Sequence, residues 1–169
     1  AHTIRPEAEI VSGEDLTIAS SSFLRAGTQR TLDALDLSTL RYQGNADASS
    51  SVSGVLTLRA AGNVNAVASI SDGYVAPVGA VATRLDLSPH SADTLKTSGD
   101  AWSYRIAAGA AIDAADPLAT HAERQGDLVL GDGAFIRTGA GSIDVAAAGD
   151  VRFGRAVEVV KAVGVGTEA

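Results

Sequence analysis

Four aspartates, Asp127, Asp132, Asp144 and Asp150, are the residues with the most chemical promise in this chain. Carboxylates brought together in pairs act as general acid and base, and stacked strands would bring distant acids together to cut or eliminate acidic polysaccharides. Each also sits beside a glycine or at a strand end, where aspartate supports a turn through its own side chain. The turn reading stands beside the catalytic one. Trp102 and Tyr104, two residues apart, share one face of a strand; they either stack on a sugar ring at the surface or cap the core over an open end. The three histidines, His2, His90 and His121, lack a second ligand at metal spacing and read as solvated imidazoles. No G-x-S-x-G elbow occurs, which leaves serine without an activating geometry. Lys96 and Lys161 follow no glycine-rich loop, and Gly131-Asp132-Gly133 lacks the third glycine of a dinucleotide fingerprint. The Gly-Gly-x-Gly-x-Asp calcium nonapeptide is missing as well. With no cysteine, thiolate catalysis, disulfides and cysteine-based zinc are excluded. The expectation is a protein without catalytic residues, metal or cofactor.

The elements that would carry these residues are short strands. The chain has 169 residues and 17.0 kDa, enough for one domain. Its hydrophobic fraction of 46% contains 32 alanines and only seven aromatic residues, so the core must be thin and built from Val, Ile, Leu and Ala. A net charge of −7 argues against nucleic acid or an anionic membrane as the main partner. No apolar run is long enough to span a bilayer, and no basic stretch precedes an apolar one at Ala1. The absence of methionine implies a processed product or an excised piece.

An internal echo organises the chain. Gly54 to Val64 reads GVLTLRAAGNV and Gly141 to Val151 reads GSIDVAAAGDV, 87 residues apart (141 − 54). In both, apolar residues alternate, then two alanines, a glycine and an Asn or Asp lead to another apolar residue. That pattern predicts strand, tight turn, strand. Asp15-Leu16-Thr17-Ile18 and Asp127-Leu128-Val129-Leu130 repeat a second motif, and Tyr104 to Gly109 a looser version of the first. Such units stack as an all-β solenoid, each coil resting on its neighbours. Coils of ~20 residues at ~4.8 Å spacing would give about eight coils and a rod of about 40 Å. Gly62 and Gly149 should occupy corners that need positive φ or close coil approach. Arg25 to Ser53 and Pro77 to Asp100 read as excursions. Alanine favours helix over Ala107 to Ala115, but Gly109 and the alternation of Trp102, Tyr104 and Ile106 favour a strand. Val157 to Val163 alternates like an edge strand guarded by Glu158 and Lys161. The echo divides the chain into halves 1–85 and 86–153, with 154–169 as an edge strand or tail.

Three groups of residues resemble segments of the large bacterial exoproteins related to filamentous haemagglutinin, the secreted partners of two-partner secretion systems. The first is Ile4-Arg5-Pro6-Glu7 with Glu9-Ile10 and Gly13 to Ile18; the second runs from Leu35-Asp36-Leu37 to Leu40-Arg41-Tyr42-Gln43-Gly44. The third is Gly54 to Gly62 with Ser69-Ile70-Ser71-Asp72-Gly73-Tyr74, and Trp102 to Arg105, Ala108 to Ala110 and Ile136 to Ile143 continue the likeness to about Phe153. The resemblance implies a right-handed parallel β-helix with irregular loop excursions. It further implies export through an outer-membrane transporter partner and location at the outer surface of a Gram-negative bacterium or beyond it. Its role would be adhesion, biofilm formation or contact with a glycan or protein on another cell, with no membrane insertion and no nucleic acid. The family's amino-terminal secretion domain is not identifiable, and no catalytic residue carries over. The alternatives are a carbohydrate-active or glycan-binding β-helix using the aspartates with Trp102 and Tyr104, and the stalk of a contact-dependent toxin-delivery exoprotein. Since neither terminus supplies a convincing polar cap, end-to-end self-association is expected.

Overall fold

The alternating stretches form strands, and the Gly-Asn and Gly-Asp pairs separate them. The computed structural model describes residues 5–19, 21–25, 28–32, 35–37, 40, 42–43, 51–72, 74–75, 94–95 and 101–155. Among the described residues there are strands and no helix. The chain first runs through β1 (Glu7–Ser12), β2 (Leu16–Ile18), the hairpin β3 (Ser21–Arg25) with β4 (Thr28–Leu32), and β5 (Leu35–Asp36). A second hairpin, β6 (Tyr42–Gln43) with β7 (Ser51–Val52), leads to β8 (Val55–Ala60), β9 (Val64–Ala66) and β10 (Ile70–Ser71). A third, β11 (Tyr74–Val75) with β12 (Thr94–Leu95), precedes β13 (Ser103–Ala108), β14 (Leu128–Leu130) and β15 (Ile136–Arg137). The last strands are β16 (Ile143–Ala147) and β17 (Val151–Phe153).

Hydrogen bonding sorts eleven of these into three sheets, β1-β8-β13-β16, β2-β9-β14-β17 and β5-β10-β15. Every pair within them is parallel. The chain therefore visits the three sheets in the same order on each pass. β8 pairs directly with β13, so strands from either side of the expected boundary at 85–86, itself outside the described residues, share one sheet. Glu7, Val55 and Ser103 are register partners, so the first two steps take 48 residues each (55 − 7 and 103 − 55). In the second sheet the step from Leu128 to Val151 takes only 23 (151 − 128). The insertions account for the difference, and for four passes among the described residues where a uniform repeat predicts about eight. Leu35–Asp36, inside a stretch that reads as excursion, is the third-sheet strand of the first pass. Ala107 and Ala108 end a strand, and Gly109 at φ 63° begins the turn that stops it.

Register places like on like. Leu56, Tyr104 and Ile143 form one row, Leu58, Ile106 and Val145 a second, Ala60, Ala108 and Ala147 a third. These rows, with Val64 and Leu128 and with Ala66 and Leu130 of the second sheet, make the core. The two outermost described passes differ: at the amino side Ile10 is 44% exposed while Ile18 stays buried, and at the other Ile143 is 41%, Val145 42%, Val151 44% and Phe153 76% exposed. The segment Val157 to Val163 lies outside the described residues.

Trp102 ties the excursions to the stack. Its backbone N donates to Asp72 Oδ2 at 2.7 Å, its Nε1 donates to the Leu40 carbonyl at 2.8 Å, and its own carbonyl accepts from Thr138 Oγ1 at 2.6 Å. Tyr42 packs on the indole at 5.7 Å between centroids and a 43° tilt. A side chain at Gly54 would enter the indole, and one at Gly141 would overlap the Trp102 carbonyl, so both neighbouring passes present glycine to it. Trp102→Ala should therefore cost about 3–5 kcal/mol through the cavity, and Trp102→Phe about 1 kcal/mol through the lost hydrogen bond. Urea melts of the two variants check this order. As the only tryptophan, Trp102 should show blue-shifted fluorescence that moves red on unfolding.

Candidate functional site

The corner between the first and second sheets repeats one chemical unit. Asp15, Asn63, Asp127 and Asp150 each immediately precede a second-sheet strand, in register. Asp15 Oδ1 accepts from the Asn63 backbone N at 2.7 Å, Asn63 Oδ1 from the Asp127 N at 2.9 Å, and Asp127 Oδ1 from the Asp150 N at 2.8 Å. A side-chain oxygen of each pass thus satisfies an amide of the next, forming a ladder along the stack. Parallel strands end in backbone donors that need partners at the corner, and a short Asx side chain reaches the equivalent amide one pass away.

The glycines before the rungs make this reach possible. A Cβ at Gly62 would overlap Asp15 Oδ1, and a Cβ at Gly149 would overlap Asp127 Oδ1. Close approach is therefore the constraint at Gly62 and Gly149. Positive φ falls instead on Gly109, Gly126 and Gly133, at 63°, 110° and 73°. Asp132 works the same way at the next corner, where its Oδ1 accepts from the Arg155 N at 2.7 Å and Gly154 leaves the space.

A polar groove of about 740 Å³ opens beside the ladder, lined by the four rungs together with Arg124, Gln125 and Arg152. Arg152 donates across it, at 3.0 Å to Asp127 Oδ2 and 3.2 Å to Asp150 Oδ2. Of the four aspartates singled out in the sequence, the structure brings only Asp127 and Asp150 together here. Asp144 stands on the outward row of β16, beside Arg105 in register and accepting from Ser142 Oγ at 3.2 Å. The oxygens of Asp127 are engaged by a backbone amide and a guanidinium, an arrangement that supports the turn.

Trp102 and Tyr104 do not form a surface platform. Both are fully buried, because their row faces the core between two further passes and Trp102 is roofed by the Leu40 and Tyr42 segment. His121 is exposed, and among the described residues no group of histidine and acidic side chains has the arrangement of a metal site.

Sequence reasoning passes over a second polar cluster, on the outer face of the first sheet. Arg59 has a side chain only 7% exposed; its Nη1 donates to Glu9 Oε1 at 3.1 Å and its Nη2 to the carbonyls of Ala111 at 2.7 Å and Ala114 at 3.2 Å. Glu7 Oε1 accepts from Thr57 Oγ1 at 2.7 Å and Arg105 Nη1 at 3.1 Å. The turn after Gly109, pinned by the Ala110–Thr120 bridge, folds over Arg59 and shields it. The one available signal is an arginine at an outward strand position followed, a pass later, by an alanine-rich loop whose carbonyls lack strand partners.

No protein-family model, no curated protein and no solved structure matches the chain. Geometry therefore carries the functional argument.

Two outcomes follow from these clusters. Asp15→Ala and Gly62→Ala each break the first rung and should each cost about 1–3 kcal/mol. The double variant should cost clearly less than the two added together, since one contact is lost in both; additive melts would show that the rung is not their common target. Arg59→Met replaces a buried cation with an apolar chain, so global stability should fall by less than about 2 kcal/mol. Amide exchange at Ala111 and Ala119, whose backbones bond across the turn, should nevertheless rise about tenfold as the turn loosens.

Proposed function

We propose that the chain is a structural and adhesive segment of a secreted bacterial exoprotein: a right-handed parallel β-helix that extends or presents surface, with its hairpins as the displayed elements. The observation that carries this reading is the repeated three-sheet pass whose inward apolar rows end exposed at Ile143, Val145, Val151 and Phe153 in the last described pass. A domain that closes on itself would cover such rows, whereas a repeat array adds passes and gains stability with each. The strong preference of parallel crossovers for one hand supports the right-handed form. The likeness of Gly54 to Gly62 and Ser69 to Tyr74 to filamentous haemagglutinin-related exoproteins supplies the biological setting: export through an outer-membrane partner, then contact with a surface glycan or protein. Absence of cysteine accords with passage through a pore as an unfolded chain.

The groove at Asp127, Asp150 and Arg152 supports a second reading, a module that holds a glycan without cleaving it. The rungs favour structure over catalysis, since Asn63 fills a ladder position with the same Oδ1 acceptor that aspartate offers.

Chain coupled to beads should adhere to bacterial or host cell surfaces, and Asp127→Asn with Asp150→Asn should retain both fold and adhesion. Release of oligosaccharides from acidic polysaccharides by the wild-type chain, abolished in the double variant, would overturn the structural reading in favour of an enzyme. Loss of glycan binding alone in an Arg124→Ala variant would favour the groove module.

A further inference from the structure

We propose that the edge of β15 facing away from β10 is the docking site of the chain's own segment 157–160, which completes the last described pass. The proposal rests on the β-helical reading above. Counting strands points to it. The first and second sheets hold four strands each, whereas the third, β5-β10-β15, holds three among the described residues, with β15 at its end. Because the chain visits the three sheets in a fixed order, the strand that follows β17 belongs beside β15. Backbone polarity agrees. The carbonyls of Phe135 and Arg137 accept from the Ile70 and Asp72 amides, and alternation along a parallel strand then turns the N–H and C=O of Ile136 to the opposite edge.

The preceding corner fixes one register. Gly154 N donates to the Leu130 carbonyl at 2.7 Å, Arg155 N to Asp132 Oδ1 at 2.7 Å, and Gly133 N to the Arg155 carbonyl at 3.2 Å. Arg155 therefore stands on Asp132 just as Phe153 stands on Leu130. Ile136 follows Leu130 by six residues (136 − 130), and the same step from Phe153 arrives at Val159 (153 + 6). In that register Val159 extends the row Leu35, Ile70, Ile136, and Val157 shares its face. The valines suit a strand, and their face is the inner one, where Val145, Val151 and Phe153 of the same pass are exposed. One pass earlier, Ile136 packs against the core from the equivalent position.

Charge and tethering both favour this occupant. Glu158 falls on Phe135, where the Arg137 guanidinium lies 4.8 Å from the ring centroid, so the register sets an acid beside a cation on the outer face. Only three residues separate Arg155 from Val159. A segment on so short a tether has an effective concentration on the order of millimolar. A separate molecule would have to displace a chain that Arg155 already delivers to the site in register. The last described pass is thereby a continuing part of the array, and its apolar rows are covered from within the chain.

Hydrogen exchange of the whole chain reads this edge directly. The Ile136 amide should exchange at least about tenfold more slowly than in an unstructured peptide, and to the same extent at low and high protein concentration. Val159→Asp should remove that protection while the amides of β8 and β13 keep theirs. Because the chain has no cysteine, an introduced pair gives a second readout. Ile136→Cys with Val159→Cys should close a disulfide within one chain about tenfold faster than Ile136→Cys with Glu158→Cys, whose side chains lie on opposite faces of the sheet. An Ile136 amide that exchanges freely while the native Trp102 emission is retained would overturn the proposal and leave the β-helical reading standing. Disulfide-linked dimers in place of internal closure would overturn it in favour of a second copy at this edge. Loss of the Trp102 emission together with a helical dichroism signal in wild type would overturn the reading beneath it.

Discussion

Direct stacking of equivalent residues, one pass on the next at the ~4.8 Å spacing of parallel strands, is the constraint that the rest of the structure obeys. Whatever occupies a position must coexist with its counterpart above and below. Inward rows therefore hold residues that pack on one another, Leu58 under Ile106 and Ala60 under Ala108. Corners must be thin, which is why Gly62 and Gly149 recur there. They lie under the carboxylates of Asp15 and Asp127, which a side chain would displace.

The same spacing turns a local turn residue into a long-range bond. An Asx side chain at an ordinary turn bonds its own backbone; here it bonds an amide that is 48 residues away for Asp15 and 23 for Asp127. The groove beside the ladder is polar because the rungs and Arg152 line it, and its carboxylates are engaged by backbone amides and by the Arg152 guanidinium. On the opposite side of the first sheet, Arg59 is buried by a turn that its own guanidinium holds down through two carbonyls. Both clusters use charge to fasten loops to a repetitive frame.

Trp102 is the exception to the thin core. A large ring fits only because the passes on either side supply Gly54 and Gly141, because Leu40 and Tyr42 arrive from outside the stack to meet its Nε1 and its face, and because Asp72 at the end of β10 accepts from its backbone N. The irregular excursions are in this way part of the core, and the length of an insertion is decoupled from the regularity of the strands it connects.

The sequence by itself determined the strands, their faces and the corners. The echo between Gly54–Val64 and Gly141–Val151 is the register itself read two passes apart, and the kinship of Asp15-Leu16-Thr17-Ile18 with Asp127-Leu128-Val129-Leu130 marks the second sheet. Periodicity carries that information because a parallel stack repeats the same environment at each pass. Tertiary structure alone decided the number of passes, because insertions of unequal length separate identical units. It also decided that Trp102 and Tyr104 face inward, since alternation tells which residues share a face but not which face is covered. The ladder was equally hidden: Asp15, Asn63, Asp127 and Asp150 look like four independent turn residues until the stack sets each beside the amide of the next.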